Sequence, residues 1–374
     1  MPPVVYAETF GNASEVWIYR QVRALGSHVV THEHRDPATF PYDRVAVVPK
    51  TRTPADRART ALRWLRDRHR YHLPASTEAA LACRLRELQA TLLHAHYGPV
   101  GLRILPVARR LGLPLVTTFH GFDISSLPAV DPSYRRALQS LFAAAWRVIA
   151  VSHTMRDRLA DLGCPADRIA VISMGVPVAA PRPPHPGAPV VRVVTVARLH
   201  PKKGVPDLVD AVARARAAGA PIELDIVGEG PERAAVEQRI EAAGLRAAVR
   251  LHGALPPAQV SRLLAVADLF ALNSRTAPDG DTEGLPVSIL EAMEASLCVI
   301  ATRHGGIQEA VADGDSGILV PERDTDALAQ ALLRMSRDPA ARAAMGRAGR
   351  ARVERDYDER RSIERLKELY AASS

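Results

Sequence analysis

Residues 191–227 read VRVVTVARLHPKKGVPDLVDAVARARAAGAPIELDIV. An apolar run, Val191–Ala197, leads into a helical pattern over Pro206–Ala217, and a second apolar run follows at Ile222–Val227. Short, unbroken apolar runs suit strands buried on both faces. A helix between two such strands is a parallel crossover unit. This stretch therefore reads as α/β, with a parallel sheet covered by helices.

The alternation continues on both sides. Downstream the pattern gives a helix near Glu232–Ala243, a strand at Val249–His252, a helix near Ala258–Ala267, a strand at Leu269–Leu272, a helix near Leu285–Glu294 and a strand at Val299–Thr302. From Asp324 onward the sequence is helical and charged. Upstream, strands are expected at Pro3–Ala7, His28–His32, Val45–Val48, Leu92–Tyr97, Leu115–Phe119, Val148–Ser152 and Ile169–Ile172. Helices fit over Glu15–Leu25, Val100–Leu111 and Thr154–Leu162. Between the halves lies VPVAAPRPPHPGAP, residues 176–189. Proline fixes φ and removes donors, so this segment is neither helix nor central strand.

The expected organisation is an N-terminal domain over 1–176, a Pro-rich linker over 177–189 and a C-terminal domain over 190–374, with a last helix able to pack back on the first domain. Ligands of doubly wound sheets sit beyond the C-terminal strand ends. Two facing lobes would place a site in the central cleft between them.

Composition narrows the function classes. The chain has 374 residues, 47% of them apolar, which is enough for two cores. It has no apolar run of roughly 18 residues, so no membrane span is expected. The start, MPPVVYAETFGN, lacks the basic-then-apolar pattern of a secretory signal. Cys83, Cys164 and Cys298 lie far apart and without metal-ligand spacing, as in a cytoplasmic protein with reduced thiols. A net charge of +8 suits an anionic partner. The excess is mostly arginine and does not choose between nucleotide, membrane surface and nucleic acid. Nucleic acid fits poorly, because no recognition module is present. A dehydrogenase is disfavoured because no G-x-G-x-x-G follows the first strand.

Three segments of the second half carry chemistry. VVTVARLHPKKG, residues 193–204, delivers Arg198 and Lys203 at a strand's C-terminal end. A planar fork and a point charge together grip a diphosphate; the plainer alternative is a solvated turn. ELDIVGEGPER, residues 223–233, places Gly228, Glu229 and Gly230 where backbone can approach a ligand, or simply makes a tight turn with Pro231 opening a helix. PDGDTEGLPVSILEAM, residues 278–293, sets Glu283 eight positions before Glu291. A helix starting near Gly284 would offer free N–H groups beside Glu283, and Glu291 would follow about two turns later. Carboxylates suit sugar and ribose hydroxyls. A capped amphipathic helix with chance acids is the competing reading.

Together these segments resemble glycosyltransferase family 4, the retaining enzymes of GT-B fold, over nearly the whole chain. The most specific part is Glu283-GLPVSIL-Glu291. PDGDTEGLPVSILEAM looks most like bacterial exopolysaccharide transferases of the colanic-acid type. The resemblance implies that Glu291 binds the donor ribose, that Glu283 contacts the transferred sugar, and that Arg198 and Lys203 hold the diphosphate with help from amides near Gly284 and Leu285. Gly228, Glu229 and the turn at His252-Gly253 resemble the surroundings of the base. No metal or other cofactor is implied. The nucleotide-sugar donor, UDP-linked by family frequency, is a substrate. A saccharide, a lipid-linked saccharide or a natural product is the acceptor. An inactive nucleotide-binding partner subunit and a sugar-nucleotide epimerase stay open as alternatives.

In the first half, LVTTFHGFDIS, residues 115–125, delivers His120 at a strand end, followed by Gly121 and Asp123. The resemblance sets His120 against the transferred sugar, while Asp123 either orients the loop or meets the acceptor. LLHAHYGPVG, residues 92–101, puts His94 and His96 on one face of a strand. Two histidines are a partial metal set, but no carboxylate or cysteine joins them, so a structural role is favoured. ETFGNASEVWIYRQVRAL, residues 8–25, resembles the opening strand, loop and helix of exopolysaccharide transferases. Gly11 and Asn12 form a cleft loop there, with Ser14 as the helix N-cap. KTRTPADRARTALRWLRDRHR, residues 50–70, carries eight Lys or Arg against Asp56 and Asp67, with Leu62, Trp64 and Leu65 as an apolar side. Such a helix suits the inner face of an anionic membrane, or is a solvated basic face.

Overall fold

The computed structural model describes residues 3–51, 53–67, 69–180 and 189–373. The chain forms two compact units, Met1–Ser173 with Ser362–Ser374, and Met174–Arg361. Residues 181–188 of the expected proline-rich linker lie outside the described residues.

The first unit holds β1 (Val4–Phe10), β2 (His28–His34), β3 (Val45–Val47), β4 (Leu93–His96), β5 (Leu115–Thr118), β6 (Arg147–Ala150) and β7 (Ile169–Val171). They pair in parallel in the order β3-β2-β1-β4-β5-β6-β7. The second unit holds β8 (Val191–Val196), β9 (Ile222–Val227), β10 (Val249–Gly253), β11 (Leu269–Leu272), β12 (Cys298–Thr302) and β13 (Gly317–Val320). These are parallel too, in the order β10-β9-β8-β11-β12-β13. Each sheet grows outward from its first strand on one side and then restarts on the other. The order therefore reverses between β1 and β4, and again between β8 and β11. At such a switch point neighbouring loops part to opposite faces and leave a crevice at the C-terminal strand ends.

The central strands β4, β5, β11 and β12 are buried at every residue, the polar His94, His96, Thr117 and Thr118 of β4 and β5 included. The last helix, Glu359–Ala371, belongs to the first unit from Ser362 onward. Ile363, Leu366 and Tyr370, spaced along one helix face, pack with Leu92, Val116, Ile149 and Ile172 of the first unit. Residues 174–176 belong to the second unit, where Val176 bridges Asp358. The sequence reading also gave no counterpart for β13 or for the helices Ala75–Glu87 and Pro132–Ala144. No helix among the described residues is long and apolar enough to cross a membrane.

Candidate active site

In the second unit every singled-out residue but Glu291 lies at the C-terminal ends of adjacent strands or in the loops that leave them. His252 ends β10, Gly228 and Glu229 follow β9, and Arg198 and Lys203 follow β8. Glu283 lies in the long loop after β11, and Glu291 on the helix Val287–Glu294 that this loop enters. Lys203 and Glu283 thus come from the two loops that flank the switch point. They form an ion pair of 2.6 Å and are nearly buried. Ser274 Oγ donates to the same carboxylate oxygen at 3.2 Å.

Burial works to raise the Glu283 pKa, but the Lys203 and Lys202 ammonium groups outweigh it and hold the carboxyl at about 2. Burial lowers the Lys203 pKa, and Glu283 offsets this. Lys202 does not reach solvent: it pairs with the buried Asp281 at 2.9 Å. Arg198 is exposed, so one charged guanidinium stands free of burial beside a charged pair.

Close backbone approaches fix the loops. Gly228 has φ +143°, and a Cβ there would fall 1.8 Å from the Ala197 carbonyl oxygen, so the β9 loop lies directly against the β8 loop. Leu199 N–H donates to Glu229 O at 2.9 Å, and Gly228 N–H to Gly253 O at 2.8 Å. Gly305 has φ +50°, and a Cβ there would meet Glu283 O at 2.4 Å. His252 hydrogen-bonds the largely buried Asp225 at 2.6 Å, and Glu229 pairs with Arg233.

One expectation is corrected. The helix carrying Glu291 begins at Val287 with Pro286 as its N-cap, not near Gly284. Gly284 and Leu285 are loop residues, and Gly284 O accepts from Gly306 N–H at 2.9 Å. The ring of Pro286 disfavours helical φ/ψ at Leu285, so the helix starts after the proline.

A relay that sequence reading missed orients this loop. The Glu283 N–H donates to His304 Nε2 at 3.0 Å. His304 Nδ1 therefore carries the proton and donates to Glu322 Oε1 at 2.5 Å. Glu322 Oε2 accepts from Thr276 N–H at 2.8 Å. The sequence signal was His304-Gly305-Gly306 directly after an apolar strand.

In the first unit the C-terminal ends of β1, β4 and β5 lie side by side. His120 follows β5. Its Nε2 is 3.2 Å from His96 Nδ1, and its ring lies 4.3 Å from Trp17 and 4.6 Å from Tyr97 between centroids. Burial lowers its pKa to about 3, so the ring is neutral near pH 7. Its Nδ1 is a buried polar atom with no hydrogen-bond partner among the described residues. Tyr97 has φ +75°, an unusual conformation for a bulky residue, of the kind that collects at functional sites.

Asp123 is fully buried. One carboxylate oxygen accepts from the His120 and Gly121 amides and the other from the Gly98 amide, each at 3.0 Å. This is a loop-orienting residue with both oxygens engaged. Burial pushes its pKa up to about 6 against the pull of those amides. His94 hydrogen-bonds Tyr370 Oη at 2.6 Å through Nδ1 and Thr118 Oγ1 at 2.7 Å through Nε2, so both nitrogens are committed to protein. Gly11 and Asn12 follow β1. The N-cap there is Asn12, whose side chain accepts from Ser14 N–H, rather than Ser14 itself.

Comparison with known proteins supplies the class. Residues 189–352 match the family described as glycosyl transferases group 1, and residues 15–180 match glycosyltransferase family 4. Two doubly wound parallel-sheet domains with these matches define a glycosyltransferase of the GT-B fold. WcaL of Escherichia coli, named for colanic acid biosynthesis, is 36% identical over 277 residues, covering 72% of this chain and 68% of WcaL. AmsK of Erwinia amylovora, an amylovoran biosynthesis glycosyltransferase, is 33% identical over 305 residues, 78% of this chain and 72% of AmsK. The chain belongs to glycosyltransferase family 4 and is a transferase enzyme. Anabaena HepE, solved with UDP and glucose, shares the fold over the full length of both chains with a TM-score of 0.80 at 20% identity.

Proposed function

We propose that this enzyme moves a hexose-type sugar from a nucleoside diphosphate sugar, UDP-linked, to a hydroxyl of a saccharide or lipid-linked saccharide in exopolysaccharide assembly, with retention at the anomeric carbon. The observation that carries the reading is the buried Lys203–Glu283 pair at the switch point of the second sheet, flanked by Arg198. A diphosphate leaving group gains negative charge as its bond to the sugar breaks. Lys203 and Arg198 are the cations that meet it, and each such contact is worth about 3 kcal/mol in a transition state. Glu283 holds hydroxyls of the transferred sugar, and Glu291 those of the ribose. His120, neutral and with an unpaired Nδ1, offers one hydrogen bond to the sugar. No side chain of the set stands as a nucleophile, which favours front-face transfer in which the leaving phosphate takes the acceptor proton. WcaL and AmsK support the polysaccharide setting, and HepE, solved with UDP and glucose, supports the donor.

The test is calorimetric titration of UDP, GDP and ADP into the wild type and Glu291→Ala. One diphosphate should bind at micromolar levels and the variant should lose it. Equal binding by both proteins would remove Glu291 from the donor site, and binding of GDP alone would replace the base.

We further propose that the helix Pro54–Asp67 rests on anionic membrane. Leu62, Trp64 and Leu65 are 66%, 51% and 55% exposed, and Arg57 and Arg59 are exposed beside them. An apolar strip edged with cations suits an acidic lipid surface. Co-sedimentation with phosphatidylserine vesicles should fall when Leu62, Trp64 and Leu65 become serine; unchanged binding would refute the contact.

A further inference from the structure

The end of the helix Pro54–Asp67 carries a cluster that sugar transfer does not use. Asp67, His69 and His72 each bring one ligand-type atom to a common point, and the three atoms lie within 4.8 Å of one another. His72 Nε2 is 3.3 Å from Asp67 Oδ2. The two imidazoles stack with centroids 4.3 Å apart and planes 23° from parallel. A tetrahedral metal site with bonds of about 2.0–2.1 Å has ligand–ligand edges of roughly 3.4 Å. The Asp67–His72 edge is therefore already at coordination distance, and the ligand atom of His69 lies within 4.8 Å of both.

The surroundings permit a cation. Two basic residues of this stretch are engaged elsewhere: Arg70 lies 3.4 Å from Asp131, and Arg63 grips both oxygens of Glu78. His72 is nearly buried while Asp67 is partly exposed, so one side faces protein and the other water. His69 Nδ1 accepts from the Tyr71 N–H at a long 3.3 Å.

We propose that Asp67, His69 and His72 form a site for a divalent transition-metal cation of zinc's ligand preference, with water as fourth ligand. Two imidazoles and one carboxylate select zinc, cobalt or nickel over magnesium and calcium, which prefer all-oxygen sets. The bound ion would staple the end of the basic helix to the segment that follows. That segment is anchored at its far side: Tyr71 Oη donates to Asp131 at 2.8 Å, and Leu73 is buried. The role is structural and uses none of the residues assigned to the donor.

The experiment is calorimetric titration of Zn²⁺ into chelator-stripped full-length protein, alongside His69→Gln, His72→Ala and Asp67→Asn. The wild type should bind one equivalent and melt several degrees higher when loaded. Each variant should lose at least tenfold in affinity, by the order of about 10–100-fold seen even for outer-shell changes, while nucleoside diphosphate binding stays at the wild-type value. Co²⁺ in place of Zn²⁺ should give the visible absorption of a tetrahedral site in the wild type and not in Asp67→Asn, a variant of unchanged shape that keeps the test valid if His72→Ala fails to fold. Failure of the wild type to take up Zn²⁺, or uptake undiminished in all three variants, would overturn the assignment.

Discussion

The two sheets present their switch points in opposite electrostatic states. At β8 and β11, burial surrounds an ion pair: Lys203 and Lys202 hold the Glu283 pKa down, while burial lowers that of Lys203 and Glu283 works against it. At β4, beside the β1–β4 switch, and at the adjoining end of β5, burial surrounds three histidines, all pushed below their ordinary range and so neutral near pH 7. The architecture is shared, but the residue types decide whether low dielectric sustains charge or removes it. A charged crevice suits a diphosphate. A neutral, aromatic-walled one suits a sugar ring and its hydroxyls.

The largest expected effect breaks the charged side. Lys203→Ala should cut turnover about 10²–10³-fold. It should also lower stability by about 3–5 kcal/mol, because Glu283 would be left buried and unpaired. Lys203→Met combined with Glu283→Leu removes both charges, so stability should return while turnover stays lost. Steady-state kinetics and thermal melts on the three proteins separate the two roles. Near-normal turnover in Lys203→Ala would end the diphosphate assignment.

Acid should separate the two units. His94 is fully buried with a pKa of about 3. The unfolded chain binds its proton from about pH 6.5 and the folded one does not, so stability is full above that pH and lost below it. Each such histidine costs about 1.4 kcal/mol per pH unit between roughly 6.5 and 3. Asp123, raised to about 6, works the other way, favouring the fold as pH falls from 6 toward its ordinary value. In the second unit Glu283, held at about 2, gives stability that is full above about pH 4.5 and lost as pH falls toward 2. The first unit should therefore loosen at milder acidity. All three tryptophans, Trp17, Trp64 and Trp146, lie in that unit. Tryptophan fluorescence should change at a higher pH than far-UV circular dichroism, and coincident transitions would contradict the contrast.

How much of this was legible follows from where each signal lies. Strands Ile222–Val227 and Leu269–Leu272 were read to the residue, because apolar residues dominate both and each is bounded by turn residues or a helix. β13, Gly317–Val320, was missed because it opens on glycine and leaves only three apolar residues between a turn-rich stretch and Pro321. Arg198 and His252 drew attention because each stands where an apolar run stops, and Glu283 because Glu291 follows it eight positions later. His304, Glu322 and Asp281 were not, since their meaning is tertiary: each acts through partners 18 to 79 positions away. The false helix start at Gly284 came from weighing the glycine and not the proline two residues later.

The relay gives the next prediction in size. His304→Ala leaves the Glu283 N–H without its acceptor and Glu322 without its donor, at a cost of about 1–3 kcal/mol. Donor affinity should fall with stability, while His304→Gln, which supplies an acceptor oxygen, should recover part of both. If affinity is unchanged in the alanine variant, the relay supports the fold and not the site.

The smallest effect tests how the neutral side is held. Tyr370 stands on the segment Ser362–Ser374 and meets His94 Nδ1 at 2.6 Å, while Thr118 takes Nε2. Tyr370→Phe removes that partner and leaves Gln21 Nε2, at 3.5 Å, as the nearest polar group given for Nδ1. The net loss is about 1 kcal/mol, or a fall of about 2–4 °C in the tryptophan-reported melt for a domain of this size. Turnover should hardly change, because His94 lies behind His96 in the chain of rings that leads to His120. A fall in turnover without a fall in melting temperature would mean that the C-terminal segment tunes the histidine row itself. No change in either would leave the attachment to the apolar stripe of Ile363 and Leu366 alone.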